Sequence, residues 1–204
     1  MLTVIHLGNS RSDRVIWLLE ELGLDYEVEV YERDPATQRA PQALKDLHPY
    51  AKAPMLRDGD QLLIESGAIF EYVLARHGGG ELVPRVEDAD WPEYIQWLHF
   101  AEGSAMLPVL LDHFQMAGMA GKPGESLLAE MAKGGKKELY DYVESVAAKR
   151  DWLAGGRFTA ADVMMGWVLD VAEGLGDLEP YPALQRYVAK FRERPAYQRA
   201  KARG

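Results

Sequence analysis

With 204 residues, 48% of them hydrophobic, the chain is long enough for one large domain or two small ones around a buried core. A formal net charge of −9 withholds the basic surface that phosphate-backbone binding rewards, which excludes nucleic acid as an expected partner. The chain has no cysteine, so disulfides, thiolate metal sites and a cysteine nucleophile are all excluded, and any thiol chemistry must use a sulfur that the ligand brings.

The chain opens with the apolar run Leu2 to Leu7, which reads as a strand, followed by an amphipathic helix from about Ser12 to Leu22 and a second strand from Tyr26 to Tyr31. A short helix near Pro41 to Leu47 comes next. Two short strands, Met55 to Arg57 and Gln61 to Ile64, flank Asp58-Gly59-Asp60, whose residue types predict a hairpin turn. A helix from Ser66 to about His77 closes the unit. The order βαβ, α, ββα is that of a thioredoxin-like layer, a mixed sheet with helices on its faces and ligands at the strand ends.

Gly78-Gly79-Gly80 ends that helix, and the stretch through Pro84 to Asp88 has no apolar period, so it reads as a connection. The expected division is a thioredoxin-like domain over residues 1–80, a linker over 81–87 and an all-helical domain over 88–204. In the second part Trp91 to Met116 keeps a helical period, Gly118 to Gly124 breaks it, and about Glu125 to Lys149 forms a second long helix. Helices from about Thr159 to Glu173, Pro182 to Arg192 and Ala196 to Arg203 complete an α bundle. Within it Thr159 and Asp162 stand three apart as a helix-start pair, with Phe158 placed to staple against Val163, a structural role. The aromatic and apolar positions Trp91, Tyr94, Trp97, Phe100, Met106 and Phe114 read as core rather than site, while Glu102-Gly-Ser104 interrupts them with polar residues and marks a cleft or subunit contact.

Three segments carry polar chemistry at the ends of strands. Ser10-Arg-Ser-Asp-Arg sits where the first strand turns into a helix, a place where free amides and the helix dipole favour anions. Lys52-Ala53-Pro54 stands at the entrance to the third strand, and X-Pro by itself reads as the start of an edge strand. Glu65-Ser66 precedes the third helix, and Ser66 reads equally as a plain helix cap or as an anion contact. The five histidines, His6, His48, His77, His99 and His113, show no short ligand pair, so no metal site is expected. No apolar stretch of about eighteen residues spans a bilayer and no basic and apolar leader opens the chain, which makes the cytoplasm the expected location.

Taken in order, these motifs resemble the cytosolic glutathione transferases over nearly the whole chain, in the bacterial, theta-like pattern that uses serine. The resemblance implies a thioredoxin-like domain that binds glutathione, a helical domain behind it and a homodimer. It implies that Ala53-Pro54 is a cis peptide whose exposed backbone takes the cysteinyl part of glutathione as a short added strand. Glu65 and Ser66 would read the ammonium and carboxylate of the γ-glutamyl end, and Lys52, with His48 as the weaker alternative, would meet the glycyl carboxylate. Ser10 would donate its hydroxyl hydrogen to the sulfur and favour the thiolate, with Asn9 second. Ser12, directly before the helical period, reads as a helix cap.

The expected activity is therefore attack of a glutathione thiolate on an electrophilic small molecule, with glutathione as co-substrate and no metal. Two alternatives stand beside it: glutathione-dependent disulfide or peroxide reduction, and a transferase-like binding module without catalysis.

Overall fold

Leu2–Leu7 (β1) is buried at every position except Thr3, so both faces of this strand are covered. It pairs in parallel with Tyr26–Tyr31 (β2), to which the crossover helix Ser12–Glu21 (α1) leads, and antiparallel with Met55–Asp58 (β3). β3 pairs in turn with Gln61–Ile64 (β4), giving the sheet order β2-β1-β3-β4. The expected mixed, thioredoxin-like layer is borne out. The computed structural model describes residues 1–8, 10–116 and 127–203, and their side chains except those of 112–116 and 127–132.

Successive strand residues point to opposite faces, which sorts the core of this unit. Ile5 and Met55, paired across the sheet, pack with Leu44 of the short helix Gln42–Leu47 (α2). The opposite face takes Val4, His6 and Leu56 toward α1 and toward Ser66–Arg76 (α3), whose Ile69, Phe70 and Val73 are fully buried. In α1, Val15, Ile16, Leu18 and Leu19 are all inaccessible, and each contributes roughly 1.5–3 kcal/mol relative to exposure. The β3–β4 hairpin turns at Gly59, whose φ of +56° at the first of two central residues suits glycine and fits a tight turn.

By packing the chain separates into two compact units, Met1–Leu82 with Glu193–Gly204, and Val83–Arg192. The last helix, Pro195–Lys201 (α9), was expected with the helical domain of residues 88–204; it packs instead in the first unit, against α1. The reason lies in side chains that the helical period does not reveal. Tyr197 meets Trp17 edge to face at 5.0 Å, Arg194 forks onto Glu21 at 2.6 and 2.7 Å, and Arg199 reaches Glu20 at 2.6 Å.

In the second unit the described helices are Trp91–Phe100 (α4), Met106–Met116 (α5), Leu127–Ala147 (α6), Ala160–Gly174 (α7) and Pro182–Arg192 (α8). The expected single helix from Trp91 to Met116 is interrupted by a π-helical turn, Ala101–Ala105. Pro108 supplies a cause: it has no N–H to give and its ring would press on the carbonyl four residues back, at Ser104, where the wider turn stands. Tyr94, Trp97 and Met106 are core as expected, and Trp97 stacks on Tyr142 at 5.2 Å. The Gly118 to Gly124 break, the start at Glu125 and the Phe114 side chain lie outside the described residues.

Thr159 and Asp162 form the expected capping box at the start of α7: the Thr159 N–H and hydroxyl donate to Asp162 Oδ2 at 2.8 and 2.9 Å. Asp162 also accepts from the Leu153 N–H at 2.8 Å and from the Tyr187 hydroxyl at 2.7 Å, so this buried carboxyl joins three segments. Phe158 lies edge-on to Trp152 at 4.9 Å.

Candidate functional site

The strand register brings the three polar segments together. Leu7 ends β1 opposite Tyr31, while Ile5 pairs with Met55, and Met55 pairs with Ile64. The exit of β1, the entrance of β3 and the exit of β4 therefore lie side by side at one end of the sheet. Ser10, Ala53-Pro54 and Glu65-Ser66 are the residues that follow or precede those strand ends. Arg33, just past β2 at the same end, donates from Nε to the Gly8 carbonyl at 2.9 Å and from Nη1 to the Gln38 carbonyl at 3.0 Å, which ties the β1 exit to the β2 exit.

Ser10 is buried, at 8% exposure, and begins a chain of hydroxyl contacts. Its Oγ lies 2.7 Å from Ser12 Oγ and accepts from the Ser12 N–H at 3.3 Å. Ser12 Oγ lies 2.8 Å from Nδ1 of His6, and that nitrogen lies 3.6 Å from Asp13 Oδ1. Ser12 is thus not the helix cap expected of it. It is the first residue of α1, the cap position falls on Arg11 without a side-chain capping bond, and the Ser12 hydroxyl is directed into the unit toward His6. Asn9 lies outside the described residues.

Ala53 and Pro54 are joined by a cis peptide bond and are both buried, immediately before the first paired residue of β3. Lys52 beside them is exposed. His48 is held locally, accepting at Nδ1 from the Tyr50 N–H at 3.1 Å, which suits a loop residue.

Glu65 occupies the cap position of α3 with φ 72° and ψ 122°, a left-handed backbone that a non-glycine residue adopts at a cost of about 1–3 kcal/mol. Ser66, read from sequence as a possible cap, is instead the first helical residue, and no side-chain hydrogen bond caps this end. The first-turn amides of an 11-residue helix therefore point outward with the positive end of its dipole. Glu65 itself is exposed, Ser66 is 3% exposed, and a carboxylate acceptor thus stands beside a hydroxyl and free amides. That pair of opposite signs suits a zwitterionic amino-acid end.

His6 and Arg33 were not singled out from the sequence. Only the reversal from strand to helix carries His6 back onto Ser12, and only the parallel pairing of β1 with β2 carries Arg33 to Gly8. Among the described residues no group of histidine and acidic side chains is placed to hold a metal ion, and no helix is long and apolar enough to cross a membrane.

The chain is similar to known proteins in sequence and fold. Residues 2–75 match the family described as Glutathione S-transferase, N-terminal domain, and residues 105–195 match Glutathione S-transferase, C-terminal domain. The chain is 33% identical to Glutathione S-transferase 3 of Schizosaccharomyces pombe, over 96% of this chain and 85% of that protein. It is 32% identical to Glutathione S-transferase 1 of Saccharomyces cerevisiae, over 96% of this chain and 92% of that one. The solved structure of a glutathione S-transferase from Actinobacillus pleuropneumoniae is similar at TM-score 0.87 and 30% identity, covering 99% of this chain and 92% of that chain.

Proposed function

Since the chain belongs to the cytosolic glutathione transferase family, we propose that glutathione lies across the sheet end formed by Ser10, Ala53-Pro54 and Glu65-Ser66, with Ser10 facing its sulfur. The chain is a glutathione transferase: glutathione is its co-substrate and an electrophilic small molecule its second substrate. The assignment of these residues to subsites rests on one observation, the gathering of a buried hydroxyl, a cis Ala53-Pro54 and an uncapped helix start at one strand end.

A free thiol has a pKa near ~8.5, so only a few per cent of glutathione is thiolate at neutral pH. Ser10, with no basic group in its side chain, acts as a fixed hydrogen-bond donor to the anion, and the start of α1 adds positive potential. Each unit by which the bound thiol pKa falls corresponds to about 1.4 kcal/mol of preference for the thiolate. Ala53 exchanges main-chain hydrogen bonds with the cysteinyl residue. Glu65 accepts the γ-glutamyl ammonium, Ser66 and the first amides of α3 take the neighbouring carboxylate, and Lys52 meets the glycyl carboxylate. Asn9 is the second candidate for the sulfur contact. The enzyme works as a homodimer in the cytoplasm, a reading supported by its resemblance to the family.

Titration of the thiolate absorbance of enzyme-bound glutathione tests the Ser10 assignment. Ser10→Ala is expected to raise the bound thiol pKa by about one unit or more, and an unchanged titration removes Ser10 from the mechanism. Light scattering on the purified protein tests the dimer.

A further inference from the structure

The contacts behind Ser10 set the direction in which its hydroxyl hydrogen points. We infer that His6 and Ser12 are positioning residues: the His6 Nδ1–H donates to Ser12 Oγ, Ser12 donates to Ser10 Oγ, and Ser10 is left with its own hydrogen for the glutathione sulfur. This rests on the placement of Ser10 at the sulfur proposed above.

A serine hydroxyl has one hydrogen and two lone pairs. Ser12 Oγ lies between Ser10 Oγ at 2.7 Å and His6 Nδ1 at 2.8 Å; accepting from both would leave the hydrogen of this 0% exposed hydroxyl buried without an acceptor, so the two contacts run in one direction or the other. If Nδ1 carried no hydrogen, Ser12 would donate to it, Ser10 would donate to Ser12, and Ser10 would turn a lone pair toward the incoming anion. With the hydrogen on Nδ1 the order reverses. Ser10 Oγ then accepts from the Ser12 hydroxyl and from the Ser12 N–H at 3.3 Å, which fills both lone pairs and leaves O–H as its single outward function. The carboxylate oxygen of Asp13, 3.6 Å from Nδ1, favours a hydrogen on that nitrogen. His6 and Ser12 are 2% and 0% exposed, so the direction is set within the protein rather than by exchanging water.

The arrangement also explains why a serine stands at the first position of α1, where no capping bond uses it. A donor that is already oriented needs no reorganisation when charge develops on the sulfur.

Nitrogen NMR of histidine-labelled protein saturated with glutathione reads the tautomer directly, with the His6 signal identified by its loss in His6→Asn. Hydrogen on Nδ1 and none on Nε2 is expected; the opposite tautomer overturns the inference. The variants give a second readout. Ser12→Ala is expected to lower the thiolate fraction of bound glutathione at neutral pH about three- to tenfold, and Ser12→Thr, which keeps the hydroxyl, to restore it. His6→Asn, whose amide N–H can stand in for Nδ1–H, is expected to keep the thiolate, and His6→Phe to lose it. If Ser10→Ala shifts the titration while Ser12→Ala and His6→Phe do not, the relay is wrong and Ser10 acts alone. If Ser10→Ala shifts nothing, the assignment of Ser10 falls and the relay with it.

Discussion

Arg199 donates from Nε to Glu20 Oε2 at 2.6 Å across a sequence separation of 179 residues, and a second nitrogen of the same guanidinium reaches the Glu20 carbonyl at 3.2 Å. Glu20 also accepts from the Tyr26 hydroxyl at 2.7 Å and lies 3.2 Å from Arg203. The end of the chain is thereby fastened to α1, the helix whose start carries Ser10 and Ser12.

This contact has a pH signature. Burial raises the Glu20 pKa, but the Tyr26 and Arg199 hydrogen bonds and the Arg203 and Arg199 charges outweigh it, so the carboxyl ends below its ordinary 4.5. An acid whose folded pKa is depressed stabilises the protein above its unfolded pKa and loses that contribution as pH falls through the folded value. Arg199→Ala is expected to cost about 0.5–2 kcal/mol at neutral pH, discounted for the exposure of the arginine. The difference from wild type should shrink as pH drops below 4.5, read by urea denaturation at several pH values. A penalty that stays constant down to pH about 3 would show that Arg199 acts through packing alone.

Gly155 is held at φ +62°, and a Cβ there would stand 2.2 Å from Asp90 Oδ2 and 2.9 Å from Asp90 Cβ. Gly155→Ala is expected to destabilise the second unit by about 1–3 kcal/mol. Adding Asp90→Gly, which removes the Cβ at 2.9 Å together with the carboxylate, should recover the steric part and leave the left-handed backbone cost of about 1 kcal/mol. A double-mutant cycle by thermal or chemical unfolding measures the two contributions, and strict additivity would refute the clash.

The Tyr187 hydroxyl is one of four donors on Asp162. Tyr187→Phe should cost about 1–2 kcal/mol, because one hydrogen bond goes while the others remain. Asp162→Ala removes the common acceptor, leaves the Leu153 N–H and the Thr159 cap without their partner, and should cost about 3–5 kcal/mol. Equal losses for the two variants in equilibrium unfolding would show that the carboxyl does not organise the three segments.

Glu65 separates backbone strain from ligand contact. Glu65→Gly relieves the left-handed φ of 72° and is expected to stabilise the fold by about 1 kcal/mol after the entropy of glycine is set against it. Glu65→Ala keeps the strain. Both should weaken glutathione binding by roughly tenfold or more, through loss of the charge-assisted contact to the ammonium. Calorimetric titration with glutathione beside a melting curve distinguishes the effects. Full affinity in Glu65→Ala would remove the carboxylate from the subsite.

The strands were legible because their signals are local: apolar runs with short polar breaks place Leu2–Leu7, Tyr26–Tyr31 and Gln61–Ile64 where the sheet has them. The meeting of Ser10, Pro54 and Glu65 followed once the strand order was known. What lay hidden depends on side chains that meet across turns. Ser12 precedes a helical period and so looks like a cap, but the fold turns its hydroxyl to His6. Arg194 and Arg199 look like ordinary solvated charges until α9 is seen beside Glu20 and Glu21. Glu102-Gly-Ser104 was legible only as a polar break in the apolar pattern, read as a cleft or subunit contact; that the helix widens there needed the position of Pro108 to be read with it.

That widened turn also sets the angular phase of everything after it. The inaccessible positions Ala101, Ala105 and Val109 recur in steps of four, so two steps overshoot ordinary α winding by about 0.8 residue, and the surplus is taken up in the loosened coil. Deleting one residue between Ala101 and Ala105 would leave Val109 seven residues from Ala101, within about 0.2 residue of two full turns of tight α winding. Val109 would then keep its inaccessible face while the loosened coil closes up, so a single-codon loss here is expected to do less harm than the same loss elsewhere in α4 or α5.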